Sequence, residues 1–285
     1  MIVIGTRGSA LALVQAQLVN EALGAGATIR VLRTKGDVSK RPIRELGDGA
    51  FVTAIENALR AGTIDVAVHS LKDLPTAEPV DLVLAAIPSR EDPRDVLVTK
   101  GRGGIEDLPQ NAVVGTSSPR RAAFLRALRP DVTARDIRGN VDTRLRKVTD
   151  GEYDAVVVAA AGLCRLGLNF DEREALPVEL CPPAPGQGAL AIQVRPDHAK
   201  LRSRVAALDD PATRIAVTAE RAALRALGAS CEIPLGAIGR AEGDEVVLDA
   251  ALVTEEGIRR ANVRGRDPLE VGSRAADALG GPVRV

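Results

Sequence analysis

The stretch DVAVHSLKDLP, Asp65 to Pro75, decides how the chain is interpreted, because an apolar run in it ends abruptly at polar residues. Residues 65–69 have the length and β-branched content of a buried strand. The polar residues 70–73 then follow its carboxyl end, where open α/β sheets bind ligands. Lys72 and Asp73 therefore stand where a ligand-binding or catalytic site is expected. An ordinary strand-to-helix turn, with its serine as a cap and both charges in solvent, would give the same pattern.

Composition limits the classes of function. The chain has 285 residues, of which 45% are hydrophobic and 27% charged, as in a globular protein of two or three domains. Aromatic residues make up 1%, too few for the stacking platforms that bind single-stranded nucleic acid, and the net charge is zero. No apolar run reaches the ~18 residues of a membrane span. We therefore expect neither a nucleic-acid nor a membrane partner.

The cysteines indicate a reducing compartment. Cys164, Cys181 and Cys231 are odd in number, widely spaced and without a CxxC pair. This excludes a disulfide framework and a zinc-type site on spacing grounds. The first residues already read as a strand, with no signal peptide before them. The expected location is the cytoplasm, and no metal is expected.

Hydrophobic periodicity predicts an α/β protein in which strands and helices alternate. The polar segment 35–49 is predicted to be a mobile loop, and Ser9 is predicted to cap the first helix. Strands are predicted at 2–4, 28–33, 65–69, 82–87, near 113–115, 132–137, 154–159 and 189–194, and helices at 10–23, 51–60, 119–128, from 140 to about 149, and 212–227.

Two parts of the chain resemble each other. Residues 3–9 (VIGTRGS) are similar to 113–118 (VVGTSS), and the run that starts at Asp65 is similar to the one that starts at Asp154. The echo predicts two similar α/β lobes facing one cleft. The stiff segment 182–188 suits a crossing between lobes, after which 189–194 returns to the first sheet. The remainder predicts a small antiparallel sheet with a helix near 268–279.

Arginines recur at turns that follow strands, and three of the four groups lie beside hydroxyl-rich or glycine-rich residues. Helix N-termini and arginine forks are receptors for carboxylate and phosphate. Any one group could be ordinary surface charge, but four together predict a ligand with several spread-out anionic groups. The four groups are Arg7; Arg120 with Arg121; Arg138 with Arg144; and Arg165.

Other candidates for chemistry are few. His69 and His198 are far apart in sequence, so a histidine-based triad is not expected, and His69 is interpreted as a packed residue at a strand end. Cys231 lies in a tight loop, residues 228–236, between a helix and a strand. Such loops often carry function, although a small apolar filler is the simpler interpretation of Cys231 alone. Cys164 and Cys181 are interpreted as fillers.

Eight motifs along the chain resemble the porphobilinogen deaminase (hydroxymethylbilane synthase) family. In order they are GTRGSALAL, VAVHSLKDLP, REDPRDVLV, VGTSSPRR, IRGNVDTRL, AAGLCRLGL, PAPGQGALAI and TAERAALRALGASCEIPLG, which together cover nearly the whole length. The resemblance implies two lobes like those of a type II periplasmic binding protein around a cleft, plus a small α/β C-terminal domain. The implied domains are 1–88 with 187–208, then 92–182, then 210–285.

The resemblance also implies an activity. Members are transferases that deaminate four porphobilinogen molecules and join them head to tail into the linear tetrapyrrole hydroxymethylbilane. The chain is primed by a dipyrromethane cofactor, one per protein chain, held through a thioether. Each pyrrole carries an acetate and a propionate, which matches the anionic ligand predicted from the arginines. A cytoplasmic monomer that passes its product to uroporphyrinogen-III synthase is implied.

By motif match, the resemblance implies a role for individual residues. Asp73 matches the catalytic aspartate, and Cys231 matches the cysteine of the thioether. The residues implied to bind the carboxylates of the cofactor are Lys72, Thr116, Ser117, Ser118, Arg120, Arg121, Arg138 and Arg144. Those implied to bind the substrate are Arg7, Ser9, Arg165 and Gln187.

The sequence departs from the family pattern at two loops. Asp48 stands where a lysine is common in the family. A positively charged role for the 35–49 loop would therefore require Arg44 to substitute for that lysine. Ala229 replaces a glycine in the loop of Cys231 and changes its backbone freedom.

One alternative function has a different character. A non-catalytic, two-lobed protein that binds or senses an anionic solute would share the lobes and the arginines. Such a protein would be expected to carry a signal peptide or a DNA-binding helix-turn-helix, and it would have no need of Cys231. The enzyme is therefore the favoured interpretation.

Overall fold

The computed structural model describes residues 1–24, 26–38, 49–101, 103–171, 174–228 and 233–282. Within them the protein is mixed α/β, as predicted. The chain divides into two compact units, one of residues 1–90 with 189–214 and the other of residues 91–188 with 215–285.

Strands and helices alternate along much of the chain. The strands are β1 (Val3–Arg7), β2 (Thr28–Leu32), β3 (Val66–Ser70), β4 (Val83–Ala86), β5 (Asp95–Thr99), β6 (Val113–Gly115), β7 (Thr133–Arg135), β8 (Ala155–Ala159), β9 (Ala175–Leu176), β10 (Leu190–Val194), β11 (Leu235–Glu242), β12 (Glu245–Thr254) and β13 (Gly257–Gly265). The helices are α1 (Ala10–Leu23), α2 (Lys35–Val38), α3 (Thr53–Arg60), α4 (Pro119–Leu128), α5 (Val141–Thr149), α6 (Ala160–Arg165), α7 (Ala199–Ala206), α8 (Pro211–Ala226) and α9 (Pro268–Ala278). Short 3₁₀ turns lie at Leu71–Asp73 and Ile105–Asp107.

The first unit is built on a sheet with the strand order β2-β1-β3-β10-β4. β1 pairs in parallel with β2 and β3, whereas β10 runs antiparallel to β3 and β4. The predicted return of the chain to this sheet is therefore confirmed. Helix α1 begins at Ala10, and the hydroxyl of the preceding residue, Ser9, accepts a hydrogen bond from the Ala12 amide at 3.2 Å, as predicted.

Two predictions for this unit need correction. β1 does not end at Ile4 but continues to Arg7, which pairs with Leu32, so Arg7 lies at the end of a strand and not within a turn. The segment predicted as a mobile loop begins with α2, where Asp37 accepts hydrogen bonds from the amide and the hydroxyl of Thr34. Residues 39–48 of that prediction lie outside the described residues.

The second sheet repeats the topology of the first, with the order β7-β6-β8-β5-β9. β6 pairs in parallel with β7 and β8, and β5 runs antiparallel to β8. The sequence echo extends to single hydrogen bonds. The Val3 amide donates to Asp65 Oδ2 at 2.9 Å, and the Val113 amide donates to Asp154 Oδ2 at 2.7 Å. Two similar α/β lobes with the same strand order are therefore present, as the echo predicted.

The predicted C-terminal sheet is also present, as antiparallel strands β11, β12 and β13. Buried residues of these strands and of α8 and α9 form one hydrophobic cluster. Glu220 on α8 is fully buried and accepts hydrogen bonds from the Gly186 amide at 2.7 Å and the Gly239 amide at 2.8 Å. This carboxylate therefore fastens the 182–188 segment to the C-terminal sheet. A side chain at Gly236 would meet the Pro182 carbonyl oxygen at 2.3 Å, so glycine is required there.

Candidate active site

The chain turns sharply at the carboxyl end of β3, where the 3₁₀ turn carries Lys72 and Asp73. Leu71 anchors the turn because its side chain is buried and its amide donates to the Ala189 carbonyl at 2.9 Å. Asp73 keeps 30% of its side chain exposed. Ser70 precedes the turn, but its hydroxyl contacts Gln15 at 3.1 Å and does not cap the turn. The carboxylate of Asp73 is thus presented at the sheet edge, as the strand pattern predicted.

Arg7 is brought beside Asp73 because β1 and β3 are parallel neighbours. Arg7 Nη1 lies 4.0 Å from Asp73 Oδ2. The same guanidinium forms a 2.6 Å ion pair with Asp37 and lies 4.1 Å from the centre of the Phe51 ring. Two predicted site residues therefore meet, together with Asp37, which the sequence analysis did not single out. Ser9 is close in sequence, and its hydroxyl caps α1.

His69 lies on β3, just before this turn, and is 5% exposed. Burial, together with the nearby positive charge of Arg7, lowers the pKa of His69 to about 4. Its Nε2 has no hydrogen-bond partner among the described residues. The ring is therefore neutral near pH 7 and packed, as predicted.

The hydroxyl-rich turn after β6 organises the first turn of α4. Ser117 Oγ accepts from the Ile137 amide at 3.2 Å, and Thr116 Oγ1 accepts from the Ser118 amide at 3.2 Å. Ser118 caps α4, with Pro119 in its first turn as predicted. All three predicted hydroxyls therefore hydrogen-bond within their own lobe, and they set the direction of Arg120 and Arg121.

Arg120 and Arg121 converge on one buried carboxylate, Asp95 at the start of β5. Asp95 is fully buried, and the two arginines are 4% and 7% exposed. Arg120 Nη2 donates to Asp95 Oδ2 at 2.6 Å, and Arg121 Nη2 donates to Oδ1 at 2.7 Å. Gln187 Nε2 adds a third donor to Oδ1 at 2.8 Å. Although burial alone would raise the pKa of Asp95, the two guanidinium groups hold it far below its ordinary value.

Three other arginines predicted for the site lack such a partner. No carboxylate of the described residues lies within ion-pair distance of Arg138, Arg144 or Arg165, and Arg138 Nη2 is buried without a hydrogen-bond partner there. Burial, with repulsion from Arg121 and Arg138, lowers the pKa of Arg144 to about 10. Burial also lowers the pKa of Arg165. The lobe therefore holds partly desolvated positive charge that its own carboxylates do not neutralise.

The charge balance of this lobe tests whether its residues fit the anionic cofactor that the sequence predicts. Asp95 offsets only one of the two cations that contact it, and Arg138 Nη2 offers a donor for which the described residues supply no acceptor. A buried, unpaired guanidinium donor is costly unless a ligand acceptor satisfies it. The donor set of this lobe therefore fits a ligand with several carboxylates.

The remaining candidates are the three cysteines and the residues of the two loops that depart from the family pattern. Cys231, Ala229, Arg44 and Asp48 lie outside the described residues. Cys164 is exposed, whereas Cys181 is buried 3.9 Å from Asp95, and burial raises the pKa of Cys181 to about 11. Asp95 was not predicted, although it lies in the REDPRDVLV motif directly before an apolar run.

One α/β lobe presents an exposed carboxylate, and the other holds arginine donors of the kind found in the class of proteins that bind organic polyanions. Comparisons with known sequences narrow this class. Residues 2–203 match the family model "Porphobilinogen deaminase, dipyromethane cofactor binding domain", and residues 214–280 match "Porphobilinogen deaminase, C-terminal domain". The chain belongs to the porphobilinogen deaminase family, whose members are enzymes of the transferase class. The predicted dipyrromethane cofactor is thereby confirmed.

Curated relatives agree over nearly the whole chain. A porphobilinogen deaminase of Roseiflexus sp. (strain RS-1) is 49% identical over 288 residues, covering 98% of this chain and 95% of its own. Those of Nocardia farcinica and of Mycobacterium tuberculosis (H37Ra) are each 50% identical. They cover 99% and 95% of this chain, and 81% and 88% of their own. The non-catalytic alternative is not favoured.

Similar solved structures include periplasmic binding proteins. A putative methionine-binding lipoprotein of Bacillus subtilis is 14% identical, with a TM-score of 0.42, and covers 74% of this chain and 91% of its own. An arginine-specific periplasmic binding protein of Salmonella typhimurium is 15% identical, with a TM-score of 0.39, and covers 75% and 93%. These likenesses are too loose to bear on function. None of the described helices has the length and apolarity needed to cross a membrane.

Proposed function

We propose that the chain is a hydroxymethylbilane synthase, which deaminates four porphobilinogen molecules and condenses them head to tail on a covalent dipyrromethane, one per chain. The observation that carries the proposal is the arginine cluster of the second lobe. Arg138 and Arg144 carry partly desolvated charge without a carboxylate partner among the described residues. The acetate and propionate groups of linked pyrroles supply that partner.

The cofactor, when bound, supplies the pyrrole on which the product is built. In this proposal it is joined to Cys231 and held by Arg138 and Arg144. The cofactor-binding role proposed for Lys72 rests on the family motif alone. Arg120 and Arg121 are proposed to attract the cofactor carboxylates by their charge more than by hydrogen bonds, because their guanidinium groups already donate to Asp95. Thr116, Ser117 and Ser118 are proposed to hold the turn that orients them.

Asp73 is proposed as the catalytic residue. Loss of ammonia from porphobilinogen leaves a cationic azafulvene whose charge extends onto the ring N–H. A fixed carboxylate beside that N–H stabilises the charge as it develops, and it can hold the N–H of the attacking pyrrole. The partial exposure of Asp73 at the end of β3 supports this role. Arg7, Ser9, Arg165 and Gln187 are proposed to bind or position the substrate.

The organisation proposed is three domains, residues 1–88 with 187–208, residues 92–182, and residues 210–285. The three separate sheets support this division. A cytoplasmic monomer that passes hydroxymethylbilane to uroporphyrinogen-III synthase is also proposed, on the strength of the family alone.

The test combines two measurements on the purified protein. Ehrlich's reagent should give a pyrrole colour, and the intact mass should exceed the polypeptide mass by two linked pyrroles. Incubation with porphobilinogen should then release ammonia and form hydroxymethylbilane. A protein that carried the pyrroles but did not consume porphobilinogen would contradict the proposed reaction.

A further inference from the structure

Arg7 lies between two carboxylates but is hydrogen-bonded to only one of them. Its Nε and Nη2 both donate to Asp37 Oδ1, at 3.1 and 2.6 Å, so two charge-assisted hydrogen bonds hold the guanidinium. Its Nη1 lies 4.0 Å from Asp73 Oδ2, beyond hydrogen-bond distance. The guanidinium edge that faces Asp73 is therefore not bound to it.

Asp37 is itself held in place by the chain. The Thr34 amide and hydroxyl donate to Asp37 Oδ2 at 3.2 and 2.7 Å. The Phe51 ring lies against the guanidinium, 4.1 Å from its carbon to the ring centre. Asp37 and Phe51 together fix the orientation of Arg7, and this orientation keeps Arg7 from closing onto Asp73.

We propose that Asp37 is a positioning residue for the reaction, which withholds Arg7 from Asp73. If Arg7 formed a hydrogen-bonded pair with Asp73, the charge that stabilises the developing cation would already be neutralised. The arrangement also leaves the Nη1 edge of Arg7 for a carboxylate of the substrate. This role rests on the proposed function, since it takes Asp73 as the catalytic carboxylate.

A positioning role for Asp37 explains why an arginine stands beside a carboxylate that has to stabilise a cation. A cation at this distance, free to move, would pair with Asp73 when the substrate is absent. The second carboxylate removes that competition while retaining a positive charge for anion binding. Asp37 is not proposed to touch Asp73 or the substrate, so its effect is exerted through Arg7.

The experiment is a double-mutant cycle on cofactor-loaded protein. Asp37→Asn should lower kcat by about 10-fold or more, because a small misplacement of a charged group has effects of this order. Asp37→Glu should restore part of the loss. In an Arg7→Leu background, Asp37→Asn should change kcat less than about 2-fold, since no guanidinium remains to be held. Equal losses in both backgrounds would overturn the inference.

The matched control is Asp81→Asn. Asp81 pairs with Arg60 in the same unit, Arg60 Nε lying 2.6 Å from Asp81 Oδ2, and neither residue belongs to the proposed site. The Asp81→Asn substitution should leave kcat unchanged. A loss in Asp81→Asn equal to that in Asp37→Asn would show a general effect of breaking an ion pair and would overturn the positioning role.

A second readout does not depend on activity. A crystal structure of the Asp37→Asn protein should show Arg7 moved into hydrogen-bond contact with Asp73, while the cofactor mass is unchanged. An Arg7 that stays at its present distance would overturn the inference even if kcat fell. If the wild-type protein did not consume porphobilinogen, the result would contradict both the proposed function and this inference. Wild-type kcat in Asp37→Asn would remove only the inference.

Discussion

Arg121 and Asp95 are joined by two charge-assisted hydrogen bonds to one oxygen, from Nε at 3.0 Å and from Nη2 at 2.7 Å. With Arg120 on the other oxygen, the buried cluster contains one negative and two positive charges. Removing one arginine would leave a neutral pair. Removing the carboxylate would leave two buried cations with nothing to neutralise them.

This asymmetry gives the first prediction. Asp95→Asn should lower the free energy of unfolding by about 3–5 kcal/mol, the usual cost of leaving buried charge uncompensated, and Arg120→Leu should lower it by less. Urea denaturation of the protein measures both. Arg259→Leu, at a half-exposed pair, is the control and should change stability little. A larger loss in Arg120→Leu than in Asp95→Asn would show that the charge count is not what stabilises the cluster.

The second prediction concerns cofactor loading. Arg138→Leu should reduce the fraction of protein that carries two pyrroles, since it removes a donor for a cofactor carboxylate, yet it should not lower the stability of the unloaded protein. The reason is that Arg138 Nη2 has no partner among the described residues. Intact mass and thermal unfolding report the two quantities. Arg274→Leu is the matched control, and equal losses of loading in both would mean that only general surface charge matters.

The third prediction identifies the attachment site. Cys231→Ser should remove the two-pyrrole mass and nearly all activity, whereas Cys164→Ser and Cys181→Ser should keep both. A thioether forms from a thiol that can ionise, and burial raises the pKa of Cys181 to about 11. A Cys231→Ser protein that retained the excess mass would show that the attachment site is wrong.

Local patterns predicted most of the fold where an element combined a hydrophobic period with a signal at its start. Ser9 before α1 and Pro119 in the first turn of α4 are examples. The echo between the segments at Asp65 and Asp154 predicted the repeated topology. Asp65 accepts a hydrogen bond from the first residue of β1, and Asp154 accepts one from the first residue of β6.

The partners of the arginines could not be predicted in the same way. Asp95 and Arg121 are 26 residues apart, and Arg7 and Asp37 are 30 apart, so only the folded chain brings them together. The sequence indicated where cations gather. It did not indicate which of them already pair with a carboxylate, and this distinction separates Arg120 and Arg121 from Arg138 and Arg144.

The fourth prediction concerns pH. His69 has its pKa lowered from 6.5 to about 4 by burial, so between these values the unfolded chain binds a proton that the folded protein does not. The free energy of unfolding should therefore fall by about 3 kcal/mol through this residue as the pH drops from 6.5 to 4, and level off below. Urea denaturation across this range should show the fall in wild type and His198→Gln, but a smaller one in His69→Gln. Identical pH dependence in the two variants would contradict the assignment.

The last prediction separates catalysis from binding at Asp73. Asp73→Asn keeps the size of the side chain but removes the negative charge opposite the developing cation. Stabilisation present mainly in the transition state affects kcat more than substrate affinity. The loss of one preorganised electrostatic group costs on the order of 100- to 1,000-fold in rate. We expect that Asp73→Asn folds, accepts cofactor from a preformed tetrapyrrole and turns over slowly by that factor.

Asp73→Glu should retain more activity, because its charge survives and only its position changes. The partial exposure of Asp73 and its 4.0 Å separation from Arg7 make both variants compatible with the fold. Steady-state kinetics on cofactor-loaded proteins, with the loading verified by intact mass, decides the matter. Wild-type kcat in Asp73→Asn would exclude the charge-stabilising role, and another carboxylate, with Asp48 or Glu232 as the first candidates, would have to be tested.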